Sequence, residues 1–439
     1  MTASSTDLRS ENPTSPERDV AGRQRGVRSI VVCGASVRSL AESAFRSGFR
    51  PLCIDFFGDA DLRRLLQRRR SRFVSRIDSF SQLTDIISSI RSEIPLLWAG
   101  GLENHVEMLR DIARNRQVIG PDLSVVEQLR NPFRFSTFLT SNGLRTPEIS
   151  ASTRNSHRTW IRKITQSSGG LGVELLRDTS HQTLTDSNQG YYFQEYIDGI
   201  PMSAAFVATS RDCRMIGVAL QFSGWPTLGA SGFQYCGNAG PVELPTNIEM
   251  EIERAGQSVY TQGLRGVFGI DFILRQGRVW FLEVNPRITG SHMIYEYTHS
   301  RLNLFREHLT GLGVIEENSC GTGPPSGKFA LRAVIWSDKP SNSKLELNEQ
   351  LWQVTEGIRL ADIPESPEQL SVGTPLCSVE VVGHSLPNVL EQLRNMQEHP
   401  QHRTLCDWSA FSTEVSVFWQ RLQENLTEEQ RGQNPQGRQ

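Results

Sequence analysis

Two apolar runs, Gly269-Ile-Asp-Phe-Ile273 and Phe281-Leu-Glu-Val-Asn-Pro-Arg287, constrain this chain more than any other segment, because each carries a carboxylate in its middle. The turn Arg275-Gln-Gly277 lies between them, so they read as the two strands of a hairpin. Side chains two apart share one face of a strand, which aligns Glu283, Asn285 and Arg287 and lets Asp271 face them across the turn. Two carboxylates and an amide oxygen form a hard-oxygen set suited to Mg²⁺, an ion that keeps waters and accepts phosphate oxygens. The bland alternative is a surface hairpin with both acids solvated. Phe272, Ile273, Phe281, Leu282 and Val284 count against it, since burying unpaired carboxylates among such neighbours is costly without a cation.

A second element precedes this hairpin. Trp160-Ile-Arg-Lys163 reads as a strand, followed by the flexible stretch Ser167-Ser-Gly-Gly-Leu-Gly172. Glycine loops present backbone N–H groups to phosphate oxygens, and an ammonium beside them adds a point charge. The P-loop order GxxxxGK[ST] is absent, and a ligand-free glycine turn is the competing reading. Lysine is scarce, occurring only at Lys163, Lys328, Lys339 and Lys344, which singles out Lys163. The third element, Phe193-Gln-Glu-Tyr-Ile197 before Asp198-Gly199, indicates by itself only a buried strand.

These elements sit in a chain of 439 residues, long enough for two or three domains. Ser29-Ile-Val-Val-Cys33, the turn Gly34-Ala-Ser-Val-Arg-Ser39, a helix over 40–47 and the strand Pro51-Leu-Cys-Ile-Asp55 make a βαβ unit that opens a parallel sheet. Arg63 to Arg76 is expected as a solvated helix and loop, with a phosphate-binding patch as the alternative. A helical stretch from Ser124 to Asn142 should break at Pro132, which suits a helix start. Short strands and hairpins then dominate, interrupted by a helix from Asn247 to Gly263. The glycine-rich stretch from Trp225 to Asn238 is expected as a loop near the site. Gly321 to Gly327 reads as a boundary; strands at Phe329–Trp336, Gln353–Arg359 and Cys377–Val382 and helices at Leu386–Glu398 and Ser409–Asn425 follow.

The expected division is a tail over 1–27, an α/β domain over 28–123, a central domain over 124–320 with a lid near 155–200, a β-rich region over 321–425 and a tail over 426–439. A net charge of −2 gives no general attraction to nucleic acid or anionic membrane. No apolar run approaches the roughly 20 residues of a membrane span. The polar first 27 residues lack a signal-type apolar segment, and the seven scattered cysteines form no CxxC pair. A cytoplasmic protein with reduced thiols is expected.

In order and spacing, the three elements resemble the ATP-grasp superfamily of carboxylate ligases. Ile119-Gly-Pro121, the helix from Pro132 to Asn142 and Gly143-Leu-Arg-Thr-Pro147 also match its entry segment. The resemblance covers roughly 28–315 and implies a Rossmann-like parallel sheet followed by a two-lobed α+β fold, with a β-rich C-terminal region. It implies that Lys163 contacts nucleotide phosphates under a lid loop of Gly169, Gly170 and Gly172. Gln194, Glu195, Tyr196 and Ile197 would form the hinge beside adenine, with Glu195 and Ile197 offering backbone hydrogen bonds. Asp271, Glu283 and Asn285 would hold one or two Mg²⁺ ions, or Mn²⁺, and Arg287 would stabilise the transferred phosphoryl group.

The implied chemistry is ATP-driven activation of a carboxylate as an acylphosphate, then attack by an amine; small-molecule carboxylate and amine substrates are the implied partners. A thiol acceptor and a non-catalytic nucleotide-binding scaffold are the alternatives, and a homodimer is the common assembly. Biotin-dependent carboxylases of the superfamily carry a Glu-His pair where this chain has Ser291-His292, which argues against bicarbonate activation. Many relatives place a lysine at the entry helix, where this chain has Arg130 and Arg134. The segment from Gly34 to Ser39 further resembles ATP-grasp proteins linked to tetrahydromethanopterin-type one-carbon metabolism.

Overall fold

The computed structural model describes residues 28–153, 158–176, 190–316, 326–338, 341–342, 353–355, 357–365, 369–398, 402–403 and 405–432. The tail expected over 1–27, most of the boundary at Gly321–Gly327 and the final stretch from 433 lie outside these residues.

The N-terminal unit is β1 (Arg28–Cys33), α1 (Arg38–Arg46), β2 (Phe49–Asp55), α2 (Ala60–Arg68), β3 (Arg72–Arg76), α3 (Leu83–Ser88), β4 (Leu96–Trp98), α4 (Val106–Ala113) and β5 (Val118–Ile119). Its five strands are all parallel, in the order β3-β2-β1-β4-β5. Helices cover the sheet, so Ile30, Val31, Val32 and Cys33 are all buried and the strand reads as a continuous apolar run. Residues 72–76, expected in a solvated loop, form the edge strand instead. Phe73, Val74 and Ser75 are half-covered between the two exposed arginines, which suits an edge strand. At the carboxyl edge of the sheet, Ala35 N–H donates to Gly100 O at 2.8 Å. This close approach requires Gly34, where a Cβ would come within 2.8 Å of the Ala99 Cβ.

Two helices lead onward, α5 (Leu123–Arg130) and α6 (Pro132–Ser141). Asn131 ends the first and caps the second by accepting from Arg134 N–H at 3.1 Å, with Pro132 at the first helical position as its fixed φ demands. A small antiparallel sheet follows: β6 (Ile149–Ser150), β7 (Trp160–Ile164), β8 (Val173–Leu175) and β9 (Tyr191–Glu195), ordered β6-β9-β7-β8.

The largest layer is a nine-stranded antiparallel sheet. It takes in β10 (Ile200–Ala208), β11 (Cys213–Ser223), β12 (Tyr235–Gly240), β13 (Gly266–Arg275), β14 (Arg278–Asn285), β15 (Phe329–Trp336), β17 (Gln353–Thr355), β18 (Ile358–Ala361) and β20 (Pro375–Gly383). The two-residue strands β16 (Ser341–Asn342) and β19 (Gln369–Leu370) pair separately. Helices α7 (Thr246–Thr261), α8 (His292–Thr298), α9 (Leu304–Gly311), α10 (Leu386–Met396) and α11 (Trp408–Gly432) complete the chain. The sheet order is β14-β13-β10-β11-β12-β15-β20-β18-β17. It runs through the expected boundary at 320–321, because β12 pairs with β15.

Alternation along β10 assigns its residues to two cores. Ala204 and Phe206 join the core beneath α7, α10 and α11, where Phe206 stacks on Phe268 with centroids 5.1 Å apart. Ala205 and Val207 join a second core with Ile30 and Val32 of β1 and Leu304 and Phe305 of α9. Three expectations need correction. The stretch expected as loop from 225 to 238 ends inside β12, Gln353–Arg359 is a bent pair rather than one strand, and the last helix reaches Gly432. Helices α8 and α9 were not anticipated; both are short and follow Gly-rich or polar punctuation that masks their periodicity.

Candidate functional site

The hairpin of β13 and β14 places Asp271 directly opposite Glu283 and Gly269 opposite Asn285. A bulge between Asp271 and Phe272 re-aims the strand there, a common device where a side chain must be presented to a cleft. Asn285 donates its side-chain amide to Asp271 Oδ2 at 3.0 Å. The Glu283 side chain retains 35% of its exposure, whereas Asn285 is buried to 8%. The pair faces a cavity of about 540 Å³.

Cations approach these acids without closing on them. Lys163 Nζ and Arg130 Nη1 each lie 3.7 Å from Glu283 Oε2. Lys163 also reaches Gln194 Oε1 at 3.4 Å, and burial, which would lower its pKa, is outweighed by Tyr192 and Glu283. Burial and the facing Glu283 push the Asp271 carboxyl up to about 7, against the pull of Arg287 and the Asn285 hydrogen bond. Burial raises Glu283 too, but Lys163, Arg130 and Arg287 outweigh it and hold it below the ordinary range. One carboxylate is therefore charged and the other titrates near neutral pH, as expected for two buried acids that face each other.

The donor set fits a hard divalent cation: carboxylate oxygens on facing strands, an adjacent amide and a residual need for charge. Among the described residues no cluster of three or more His, Cys, Asp or Glu side chains could hold a metal. An ion at this hairpin would complete its shell with amide oxygen, water and ligand oxygens.

Other walls of the cavity bring the remaining candidates together. Gly169 and Gly170 line it, with φ of +65° and +74°. Gly170 packs so closely on the loop before β12 that a Cβ would stand 1.8 Å from Phe233 O, while Gly169 O accepts from Tyr235 N–H at 2.9 Å. Gly172 is absent from the lining and turns the β7–β8 hairpin against Ile164. Gln194, Glu195, Tyr196 and Ile197 also line it, at the end of the strand that pairs with the one carrying Lys163. The Glu195 N–H is donated to Glu148 O at 2.9 Å, so that donor serves the β6–β9 pairing. Arg287 lines the cavity beyond Asn285, its Nε held by Glu103 Oε1 at 2.8 Å.

Three residues of this site carry no strong sequence signal. Glu103 is buried to 1% and orients Arg287 from the N-terminal unit, across a sequence distance no local pattern bridges. Arg130 donates to Asn104 Oδ1 at 3.1 Å and Ser167 O at 3.3 Å, tying the glycine loop to the N-terminal unit. Ser203 pairs in register with Asp271 and has a buried hydroxyl with no partner.

Comparison with known proteins agrees with this layout. A family model described as an ATP-grasp domain matches residues 130–291. The uncharacterised protein MJ0776 of Methanocaldococcus jannaschii is 21% identical over 292 residues, covering 63% of this chain and 72% of its own length. Among solved structures, carboxyaminoimidazole ribonucleotide synthase from Aspergillus clavatus, complexed with ATP, superposes with a TM-score of 0.62 at 11% identity, over 86% of this chain and 99% of that one. The biotin carboxylase domain of Hydrogenobacter thermophilus 2-oxoglutarate carboxylase, a dimer in complex with MgADP, ADP and bicarbonate, gives a TM-score of 0.62 at 12% identity, over 84% of this chain and 89% of that one. At these identities the structural likeness establishes the fold.

Proposed function

We propose that this chain, whose residues 130–291 match a family model described as an ATP-grasp domain, is an ATP- and Mg²⁺-dependent ligase that activates a carboxylate as an acylphosphate and joins it to an amine. The observation that carries this reading is the facing Asp271–Glu283 pair, with Lys163 and Arg130 each 3.7 Å from Glu283 beside a cavity of about 540 Å³. The relatives crystallised with ATP or MgADP support the choice of nucleotide.

In this reading Asp271, Glu283 and Asn285 hold the ion, which when bound neutralises phosphate charge. Lys163 and the N–H groups around Gly169 and Gly170 bind the phosphates. Lys163 is withdrawn from Glu283 by 3.7 Å, so it can engage a phosphate oxygen without breaking a tight ion pair. The Gln194–Ile197 wall receives the base. Arg287, fixed by Glu103, presents its guanidinium where a transferred phosphoryl group and its carboxylate acceptor meet. Positioning and fixed charge supply the rate in phosphoryl transfer, which is what a pre-oriented arginine offers.

The test is ADP release in the presence of MgATP with panels of small carboxylates and amines. Turnover that needs both partners supports ligation. Tight MgATP binding with no release under any pairing would sink the ligase reading in favour of a nucleotide-binding scaffold, and turnover with thiols alone would move the acceptor class.

A further inference from the structure

The last helix, α11, lies outside the residues that match the ATP-grasp model, yet its Phe418 and Arg421 line the cavity at the Asp271–Glu283 hairpin. Three contacts along one side of the helix set its register. Thr227 donates its hydroxyl to Glu414, and Gln276 N–H donates to Asn425 Oδ1 at 2.9 Å. Between them the Phe418 ring meets those of Trp225 and Phe222 edge-on, with centroids 5.3 and 6.0 Å away. Positions 414, 418, 421 and 425 repeat at helical spacing, so Arg421 is carried on the anchored side.

The neighbours of Arg421 place it along the cavity. From the wall assigned to the base, Gln194–Ile197, the chain runs through Asp198 and Gly199 to Pro201 and Ser203, all of which line the same space. Ser203 pairs in register with Asp271. The sugar of a nucleotide with its base on that wall and its phosphates at the acids therefore lies along the intervening stretch. Arg421 belongs to this middle region. Burial and the Asp198 carboxylate raise the pKa of Tyr196, and Arg421 opposes them, so both charges act on one hydroxyl. Asp198 and Arg421 are exposed, which leaves them within reach of a ligand. Among the described residues Arg421 forms no ion pair.

We propose that Arg421 is a nucleotide-specificity residue: it donates to one ribose hydroxyl of ATP, while the Asp198 carboxylate accepts from the other. This rests on the nucleotide assignment made above and adds to it a contact from outside the ATP-grasp segment. A guanidinium only donates and an ionised carboxylate only accepts. A vicinal diol does both, so this pair of side chains answers a ribose and neither deoxyribose in full. Hydrogen bonds with one charged partner are the stronger kind, and each lost one is worth about tenfold in affinity. The rival role for Arg421, a point charge that attracts the triphosphate, predicts the same benefit for every nucleoside triphosphate whatever its sugar.

The test is calorimetric titration of the full chain, Arg421→Ala and Asp198→Ala with the magnesium complexes of ATP, 2′-deoxy-ATP and 3′-deoxy-ATP. Both side chains are exposed, so neither change is expected to disturb the fold. The wild-type chain should bind each deoxynucleotide about tenfold more weakly than ATP. Arg421→Ala should bring one of those ratios to within about twofold of unity, and Asp198→Ala the other, which is the coupling a direct contact produces. A wild-type ratio that persists in Arg421→Ala overturns the proposal even where all three affinities fall, since equal losses mark a charge acting on the triphosphate. Equal binding of the three nucleotides by the wild-type chain overturns it too. Failure of the wild-type chain to bind MgATP is a different outcome: it removes the nucleotide reading itself, and this contact with it. Turnover is not needed, so the result stands whether or not a carboxylate and an amine are found.

Discussion

The molecule holds two clusters of opposite charges, and they are built to different standards. At the junction of the N-terminal unit with the far half of the large sheet, Arg38, Arg332 and Arg359 meet Glu42, Asp362 and Glu380. Arg38 Nε reaches Asp362 at 2.7 Å, its Nη1 reaches Glu42 at 3.0 Å and its Nη2 reaches Glu380 at 2.5 Å. Burial opposes charge on Glu380, but Arg38, Arg359 and Arg332 prevail and hold it down to about 2, with Tyr297 donating to its other oxygen at 2.9 Å. In the cleft, by contrast, Lys163 and Arg130 stop 3.7 Å short of Glu283, and Asp271 is pushed up to about 7. A saturated cluster is finished structure. An unsaturated one keeps capacity for a ligand.

Substitutions should separate the two. Glu283→Ala is expected to lower ATP-dependent turnover by roughly a thousandfold while the melting temperature stays within a few degrees, because relief of the repulsion with Asp271 offsets the attraction lost to Lys163 and Arg130. Near-native turnover would discard the cation assignment. Arg38→Ala should do the reverse. It strands Glu380 and Asp362 in a buried setting and should cost about 3–5 kcal/mol in urea unfolding; a loss below about 1 kcal/mol would mean that water replaces the arginine.

A third buried group sharpens the contrast, because it is neutral and satisfied. His308 accepts from Val267 N–H at 2.9 Å behind the cleft strand, and burial lowers its pKa to about 4. Its folded-state pKa lies below the unfolded value of about 6.5, so the unfolded chain binds more protons between those limits. The stability it contributes is complete above about 6.5 and is lost as pH falls toward 4, amounting to about 3 kcal/mol. His308→Gln should flatten that slope in denaturation curves measured across the window, and an unchanged slope would assign it to other groups. The smallest effect is expected at the glycine loop between β7 and β8. Gly170→Ala adds a methyl where φ is +74° and Phe233 O is 1.8 Å away, so the loop must shift. MgATP affinity should weaken about tenfold in calorimetry with the fold intact, and unchanged affinity would place the phosphates away from this loop.

Much of this was legible in the sequence where the evidence is local. Asp271 facing Glu283 follows from alternation and one turn, and the break at Pro132 follows from a missing N–H and a fixed φ. Lys163 ahead of the glycines was found by the same local logic. The partners that orient these groups were not legible. Glu103 meets Arg287 across 184 positions and Arg38 meets Glu380 across 342, and neither acid sits in a pattern that announces its partner. The strand from Tyr235 to Gly240 was hidden by glycine and asparagine, which its close approach to β11 and β15 demands and which imitate a loop.

The crossing of the large sheet from β12 to β15 also has a consequence during synthesis. The strands bearing Asp271 and Glu283 leave the ribosome before β15 and β20 exist, so β12 waits with an open edge until Phe329–Trp336 arrives. A chain arrested before that point would present unpaired backbone to its neighbours, and the cavity between the N-terminal sheet and the far half of the large sheet would lack the wall carrying Arg332 and Trp336. The cleft at the Asp271–Glu283 hairpin and the cavity beside it would thus be completed at different moments in the life of the nascent polypeptide.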